Sequence, residues 1–383
     1  MPSPAAAARA IAPRARDLAL EGEAARRLPI EVAEAMVNAG LPRLAVPKSV
    51  GGAEAAPAEI VEAIEALAIG DGAAGWCLMI AVTTGLLGGY LPPAEAQQVF
   101  GDERAVVGGV VAPRGTAVVS GDDVVVSGRW PWASFSNHCT WLVGGCSVTD
   151  GDTTRSPPGG TPEPHLALMP AADVEIVDTW RASGLKGTGS NDIEVNHLTV
   201  PTGLCIPFAT MAPVADGPLY AFPLFGLLAL GISAVCLGLA RAAIDAFDEV
   251  AVDKVPAMSL RKLKARPHAQ MQRAQAEAKV ASARSWLYAV IDEAWVAAGA
   301  GDPMTPVRRA RLRLAATHAT LQSAEAVDLM YDAGGGSSVH ETSPLQRCFR
   351  DVHTATQHMM VGSPTLEAAG RVLLGVDDGG LML

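Results

Sequence analysis

Little of this sequence is charged and little of it is aromatic. Charged side chains make up 18% of the 383 residues and Phe, Trp and Tyr together 5%, against 49% hydrophobic residues. That balance is unlike the composition that leaves chains unfolded, and the length allows a full core in one large domain or a few small ones. Basic residues are also scarce: 29 Lys and Arg face 40 Asp and Glu, for a formal charge of −11. Such a chain has no general attraction to a phosphate backbone, which disfavours a dedicated nucleic-acid binder. The six cysteines (Cys77, Cys139, Cys146, Cys205, Cys236, Cys348) lie far apart. With no CxxC pair and no Cys/His cluster at zinc spacing, neither a disulfide framework nor a structural metal is implied, and a reducing cytoplasm is the simplest home. GxSxG and HExxH are missing, and no GxGxxG follows a strand-like run, so the usual hydrolase, zinc-protease and dinucleotide signatures are absent.

The N-terminal run MPSPAAAARAIAPRARDLAL is broken by Arg9, Arg14 and Arg16 and lacks the apolar core of a secretory signal. One uncharged stretch, 217–240, is long enough to span a bilayer. Pro218, Pro223, Gly226, Gly231 and Gly238 punctuate it, no second such stretch is read, and a helix apolar all round equally forms the centre of a bundle. A buried core helix, and no membrane partner, is the expectation.

Up to about residue 100 the apolar positions recur at helical spacing. From Ala105 to Pro201 the pattern changes to short β-branched runs, among them AVVGGVV, TAVVS and VVVSG around a Gly-Asp-Asp turn, WLVGGC, LALM, VEIV and IEVNHLTV. The Gly-, Pro- and Thr-rich stretch 149–165 reads as a long loop. After Pro213 helical patterning returns. The result is an α+β chain in three parts: helical over 1–104, β over 105–212, and a helical bundle over 213–383.

Three clusters could carry chemistry. GRWPWASFSNHCTW (128–141) gathers Trp130, Trp132, Trp141, two serines and His138 where a strand passes into a loop. Flat indoles could wall a planar ligand while Ser134 bonds its polar edge, although tryptophans in a β domain are as readily core. GLKGTGSND (184–192) is turn-rich and enters a strand, and alone reads as a connection. In the third, Ser343, Pro344 and Gln346 look like a helix start with a capping box. The helix is expected to run to about Val361, stacking Arg347, Asp351, Thr354 and His358 on one face, where His358 could be a general base near neutral pH. His353 falls on another face. RKLKAR (261–266) and VRRARLRL (307–314) read as solvated helix faces.

Taken together, these residues resemble the acyl-CoA dehydrogenase superfamily over nearly the whole chain. The carrying motifs are VPKSVGG (46–52), LAIGDGAAGW (67–76), SGRWPWASFSNHCTW (127–141), DTWRASGLKGTGSND (178–192), PHAQMQRAQAEA (267–278) and SPLQRCFRDVHTATQHMM (343–360). Within the superfamily the chain looks most like the two-component flavin-dependent monooxygenases. A dehydrogenase needs a glutamate base, expected near position 359, and Met359 stands there. The other known place for that base falls around Val255, also uncharged, although nearby Asp253 keeps an acyl-CoA dehydrogenase with bound FAD as the alternative.

The resemblance implies a helical N-terminal domain, a central β domain and a C-terminal four-helix bundle. It implies an oxygenase component that takes reduced flavin (FMNH2 or FADH2) from a separate NAD(P)H-flavin reductase. With O2, and through a C4a-hydroperoxyflavin, it would oxygenate an aromatic or polycyclic small molecule, as a cytoplasmic homotetramer. By the same carry-over, His358 and Ser134 would be catalytic, with Ser134 near flavin N5. Trp132, Ser134, Thr188, Ser190 and, more loosely, Arg273 would contact flavin. Trp76, Phe135, His138 and Met359 would face substrate, and no metal is implied. One departure is evident: relatives usually carry Gly where this chain has Phe135.

Overall fold

The computed structural model describes residues 2–150, 153–154, 163–208, 210, 212–377 and 379–380. Helices come first: α1 (Pro4–Ala25), α2 (Ile30–Asn38), α3 (Pro57–Ala68), α4 (Gly72–Gly85) and α5 (Pro93–Phe100). Proline opens α1, α3 and α5 at a position where its missing N–H costs nothing, and Asp71 caps α4 by accepting from Ala74 N at 3.0 Å.

The β segment follows as β1 (Val107–Ser120), β2 (Asp123–Ala133), β3 (Trp141–Asp150), β4 (Thr153–Thr154), β5 (Pro164–Pro170), β6 (Glu175–Val177), β7 (Asn191–Pro201) and β8 (Cys205–Pro207). The runs AVVGGVV and TAVVS, read as separate, are one long strand. β1 and β2 form a hairpin in which Ser120 faces Asp123 across Gly121 and Asp122, with Gly121 at φ +66°. The strands form one sheet in the order β6-β7-β2-β1-β3-β5-β8, with β4 beside β3, antiparallel except for the β1–β3 pair. Of the stretch expected as a loop, 149–150 end β3 and 164–165 open β5, while most of the rest lies outside the described residues.

The C-terminal helices are α6 (Pro218–Ala221), α7 (Leu224–Asp253), α8 (Pro267–Gly299), α9 (Pro306–Gly334), α10 (Pro344–Ala355) and α11 (Pro364–Leu373). One continuous hydrophobic cluster joins helices and sheet. α7 sits at its centre against α3, α4, α9 and α10. Among the described residues two stretches, not one, are long and apolar enough to cross a membrane, 72–89 as well as α7, and their apolar windows are 89% and 83% buried inside the fold.

α10 is shorter than the spacing suggests. It ends at Ala355, and the chain passes into turns, with the hydroxyls of Thr354 and Thr356 bonded back to the carbonyls of Arg350 and His353. His358 therefore lies past the helix, not on its Asp351 face. Pro344 does open α10, but the Ser343 side chain makes no capping bond, and the Gln346 amide donates instead to the carbonyls of Glu341 and Ser343.

Candidate active site

The site forms where α4, the loop after β2, the loop before β7 and the turn after α10 converge. The three tryptophans of the first cluster have separate fates. Trp130 is fully buried and its indole N–H donates to Gly145 O at 2.6 Å, so it is core. Trp141 starts β3. Trp132, at the end of β2, is 66% exposed and held at φ +69°.

A chain of hydroxyls links the two loops. Trp76 of α4 donates its indole N–H to Ser134 Oγ at 3.0 Å. Ser134 Oγ lies 2.7 Å from Ser190 Oγ, which lies 2.7 Å from Thr188 Oγ1, and Thr188 Oγ1 donates to Leu185 O at 2.8 Å. All three hydroxyl residues are buried. Phe135 N donates to Thr188 O at 2.9 Å and joins the loops again through the backbone.

Left-handed backbone concentrates in these loops: Trp132, Phe135 (φ +67°) and Leu185 (φ +49°), followed by Gly189 (φ +55°). Non-glycine residues take this conformation at a cost and persist in it where the surroundings over-determine it, commonly at binding sites. At Phe135 the backbone suits a residue without Cβ, which is the physical ground for the glycine expected there from the resemblance. Phe135 itself is 1% exposed, packed 5.2 Å from the His138 ring.

α10 grips the second loop. Asp351 accepts from Leu185 N at 2.6 Å, and Arg350 donates to Ser183 O at 2.7 Å while pairing with Glu23 of α1. A Cβ on Gly184 would lie 2.1 Å from Arg350 O, so only glycine allows this approach. Burial and the nearby Asp71 charge push the Asp351 carboxyl up to about 7, against the pull of the Leu185 N–H. Asp71 is raised as well, by burial first, with Arg347 opposing.

His358 packs edge-on to Trp76, ring centres 5.8 Å apart. Its Nδ1 accepts from Met360 N at 3.2 Å, so the neutral ring carries its proton on Nε2. Met360 O in turn accepts from the guanidinium of Arg313 at 2.9 Å. Desolvation, then the Arg313 charge, lower His358 to about 4. The expectation of a base near neutral pH is thereby corrected: at pH 7 His358 is a neutral imidazole presenting Nε2–H as a donor.

The remaining candidates disperse. His138 Nε2 lies 2.9 Å from Leu28 O and supports the loop, and burial lowers its pKa. Arg273 is engaged by Asp248 and Glu277 on α7 and α8, and no bond joins it to the hydroxyl chain. Met359 is 67% exposed beside His358. Asp253 has an 86% exposed side chain paired with Lys262, which is no setting for a base that must strip a proton in a closed pocket.

Two residues escaped the sequence reading. Arg313, within the run taken as solvated, is 2% exposed. Ser136 Oγ is buried without a hydrogen-bond partner in the loop that carries Ser134. Among the described residues no cluster of His, Cys, Asp or Glu could hold a metal.

Models of the acyl-CoA dehydrogenase N-terminal and C-terminal domains match residues 5–93 and 230–363. The chain is 33% identical over 365 residues to the indole-3-acetate monooxygenase of Pseudomonas putida, covering 94% of this chain and 91% of that protein. It belongs to the acyl-CoA dehydrogenase family, on the flavin-dependent monooxygenase branch. The oxygenase subunit HsaA of Mycobacterium tuberculosis is 30% identical over 90% of the chain and 88% of its own length. The crystal structure of the HsaA monooxygenase superposes with a TM-score of 0.89 at 27% identity, covering 100% and 99% of the two chains. XiaF from Streptomyces, solved with FADH2 and glycerol, gives 0.90 at 25%, covering 98% and 96%.

This family member therefore has the acyl-CoA dehydrogenase-like fold and the cofactor class of its branch, reduced flavin with O2. Its residues fit that group: an exposed flat indole at Trp132, a buried hydroxyl chain, an orphaned Ser136 Oγ and left-handed backbone all meet in the same two loops.

Proposed function

We propose that the chain is the oxygenase component of a two-component system, acting on an aromatic or polycyclic small molecule with reduced flavin delivered by a separate NAD(P)H-dependent reductase. The observation that carries this reading is Trp76, whose indole N–H meets Ser134 while its ring meets His358, so that one side chain ties both candidate catalytic residues into one site. Reduced flavin, when bound, supplies the two electrons needed to place one oxygen atom in the substrate and the other in water.

The chain's own residues then have distinct tasks. Trp132, Ser134, Thr188 and Ser190 hold the flavin, with Ser136 as a further contact. Trp76 and Phe135 exclude water from the reacting edge, as an oxygenase must to avoid losing peroxide. His358 donates from Nε2 to an oxygen of the substrate or of bound dioxygen, and Met359 stands at the mouth. Arg273, held in ion pairs, is better assigned to holding α8 on α7. The functional units follow the segments 1–104, 105–212 and 213–383. Exposed Leu373, Leu374 and Val376 at and just beyond the end of α11 offer an apolar surface for further copies in a homotetramer, and six free cysteines suit the cytoplasm.

Incubation with chemically reduced flavin, 18O2 and a panel of phenols, indoles and aromatic acids tests the reading. One 18O atom in a product is expected. Oxidation of a CoA thioester without oxygen incorporation would overturn it in favour of the dehydrogenase.

A further inference from the structure

Between α10 and α11 the chain closes on itself over residues 358–362, where Val361 N and Gly362 N donate to His358 O at 3.0 and 3.1 Å. The outer attachments of this turn come from α9, at two residues four apart and so on one face of that helix. Arg313 donates to Met360 O at 2.9 Å, and Thr317 Oγ1 lies 2.6 Å from Thr365 Oγ1, which donates to Gly362 O at 2.7 Å. Thr365 has thereby spent its proton, so Thr317 donates to it. Arg313, Thr317 and Thr365 are all buried.

This mount bears on which nitrogen of His358 carries the proton. A neutral imidazole has two tautomers, and the Met360 N–H, 3.2 Å from Nδ1, has a partner in only one of them. A proton on Nδ1 would set two N–H groups against each other. Met360 thus spends both its backbone groups here, the N–H on the histidine and the carbonyl on the arginine. We propose that Arg313 is a positioning residue for the reaction, whose hold on Met360 O aims the Met360 N–H at Nδ1 and so fixes the His358 proton on Nε2, where it can be donated. The proposal rests on the oxygenase reading above and deepens it.

An arginine also brings a charge. Burial draws the Arg313 pKa down to about 10, which leaves it charged at neutral pH, and its field resists a second proton on His358 in the same sense as desolvation does. Asp71 at the head of α4, Arg347, Asp351 and His353 of α10 and Glu367 of α11 leave the ring unshifted; Arg313 of α9 is the charged group that acts on it. The one buried arginine of the run 307–314 thereby has a task that a neutral donor to Met360 O would only half perform.

The test reads the ring itself, by long-range 1H–15N NMR of the full-length protein labelled in histidine, the His358 signals being those lost in His358→Ala. Wild type is expected to show the Nε2–H tautomer alone. Arg313→Met should bring in the Nδ1–H tautomer and raise the proton affinity of His358 about tenfold. Arg313→Lys keeps a charged donor and should restore both toward wild type. Arg313→Gln keeps a donor and loses the charge, so the tautomer should stay while the proton affinity rises; this variant decides if Arg313→Met does not fold. In turnover, product formed per O2 consumed should fall about fivefold in Arg313→Met and recover in Arg313→Lys.

An Nδ1–H ring in wild type, a tautomer and proton affinity unchanged in folded Arg313→Met, or a proton affinity unmoved in Arg313→Gln would overturn the proposal. A lower yield with an unaltered ring would do so too, since Arg313 would then act by packing alone. Circular dichroism of each variant separates an altered ring from lost folding. No flavin or substrate enters the NMR measurement, so these outcomes stand apart from the oxygenase reading, which falls if wild type places no 18O in any product.

Discussion

The two halves of the site are built on opposite terms. On the sheet side, Ser134, Ser190 and Thr188 form a buried row without a charge, braced by strained backbone. On the helical side, charge is buried: Asp351 holds the loop before β7, Asp71 sits near it, and Arg313 stands behind His358. A neutral row keeps its geometry at any physiological pH, whereas a buried carboxyl raised to about 7, Asp351, does not. The proposed cofactor contacts of the row should therefore be indifferent to pH, and any pH dependence of the protein should trace to the helical side.

Four changes break or sharpen that contrast. The largest effect is expected from removing the support of the sheet side: Trp130→Ala deletes a fully buried indole and leaves Gly145 O unpaired, costing about 3–5 kcal/mol in a denaturant titration. His358→Ala should lower product formed per O2 consumed by roughly a hundredfold, with reduced-flavin binding near normal. Unaltered coupling between oxygen use and product would remove His358 from the reaction.

Asp351→Asn tests the pH claim. The native carboxyl is raised to about 7, so its contribution to stability is present below the ordinary carboxylate range and is lost as pH rises toward and through 7. Asn can still accept from Leu185 N but cannot ionise, so melting temperatures of the variant at pH 5 and pH 8 should differ less than those of wild type. Equal differences would place the titration elsewhere. The smallest effect concerns Phe135. Because its φ is +67°, Phe135→Gly should be more stable than Phe135→Ala by about 1 kcal/mol, and the reverse order would show that no strain resides there.

The contrast also explains what could be read from the residues alone. Helical and β patterning are periodic, so their order along the chain was legible, and the structure joins Ser134, Thr188 and Ser190, singled out through the motifs around them, in one row. Placing His358 on the Asp351 face failed because helix spacing gives the face of a residue only while the helix lasts, and α10 ends at Ala355. Arg313 was hidden among Arg308, Arg309 and Arg311. Its neighbours Leu312 and Leu314 gave a faint sign that this part of α9 turns inward, but burial of one arginine in a basic run is decided by what packs on it. Strand alternation would put Trp132 on the same face as buried Trp130; its exposure follows from the positive φ at Trp132, which breaks that alternation and leaves no mark in the sequence pattern.

The grip of α10 on the loop before β7 has a consequence for biosynthesis. Leu185 and its partner Asp351 are 166 residues apart, and Arg350 reaches back across 327 residues to Glu23. Contacts so distant form late, and a ribosome exposes the N-terminal helices and the whole sheet long before α10 emerges. A growing chain thus carries every hydroxyl of the row without the clasp that holds it in place. Truncated or stalled products that lack α10 should therefore leave the loop before β7 unclasped.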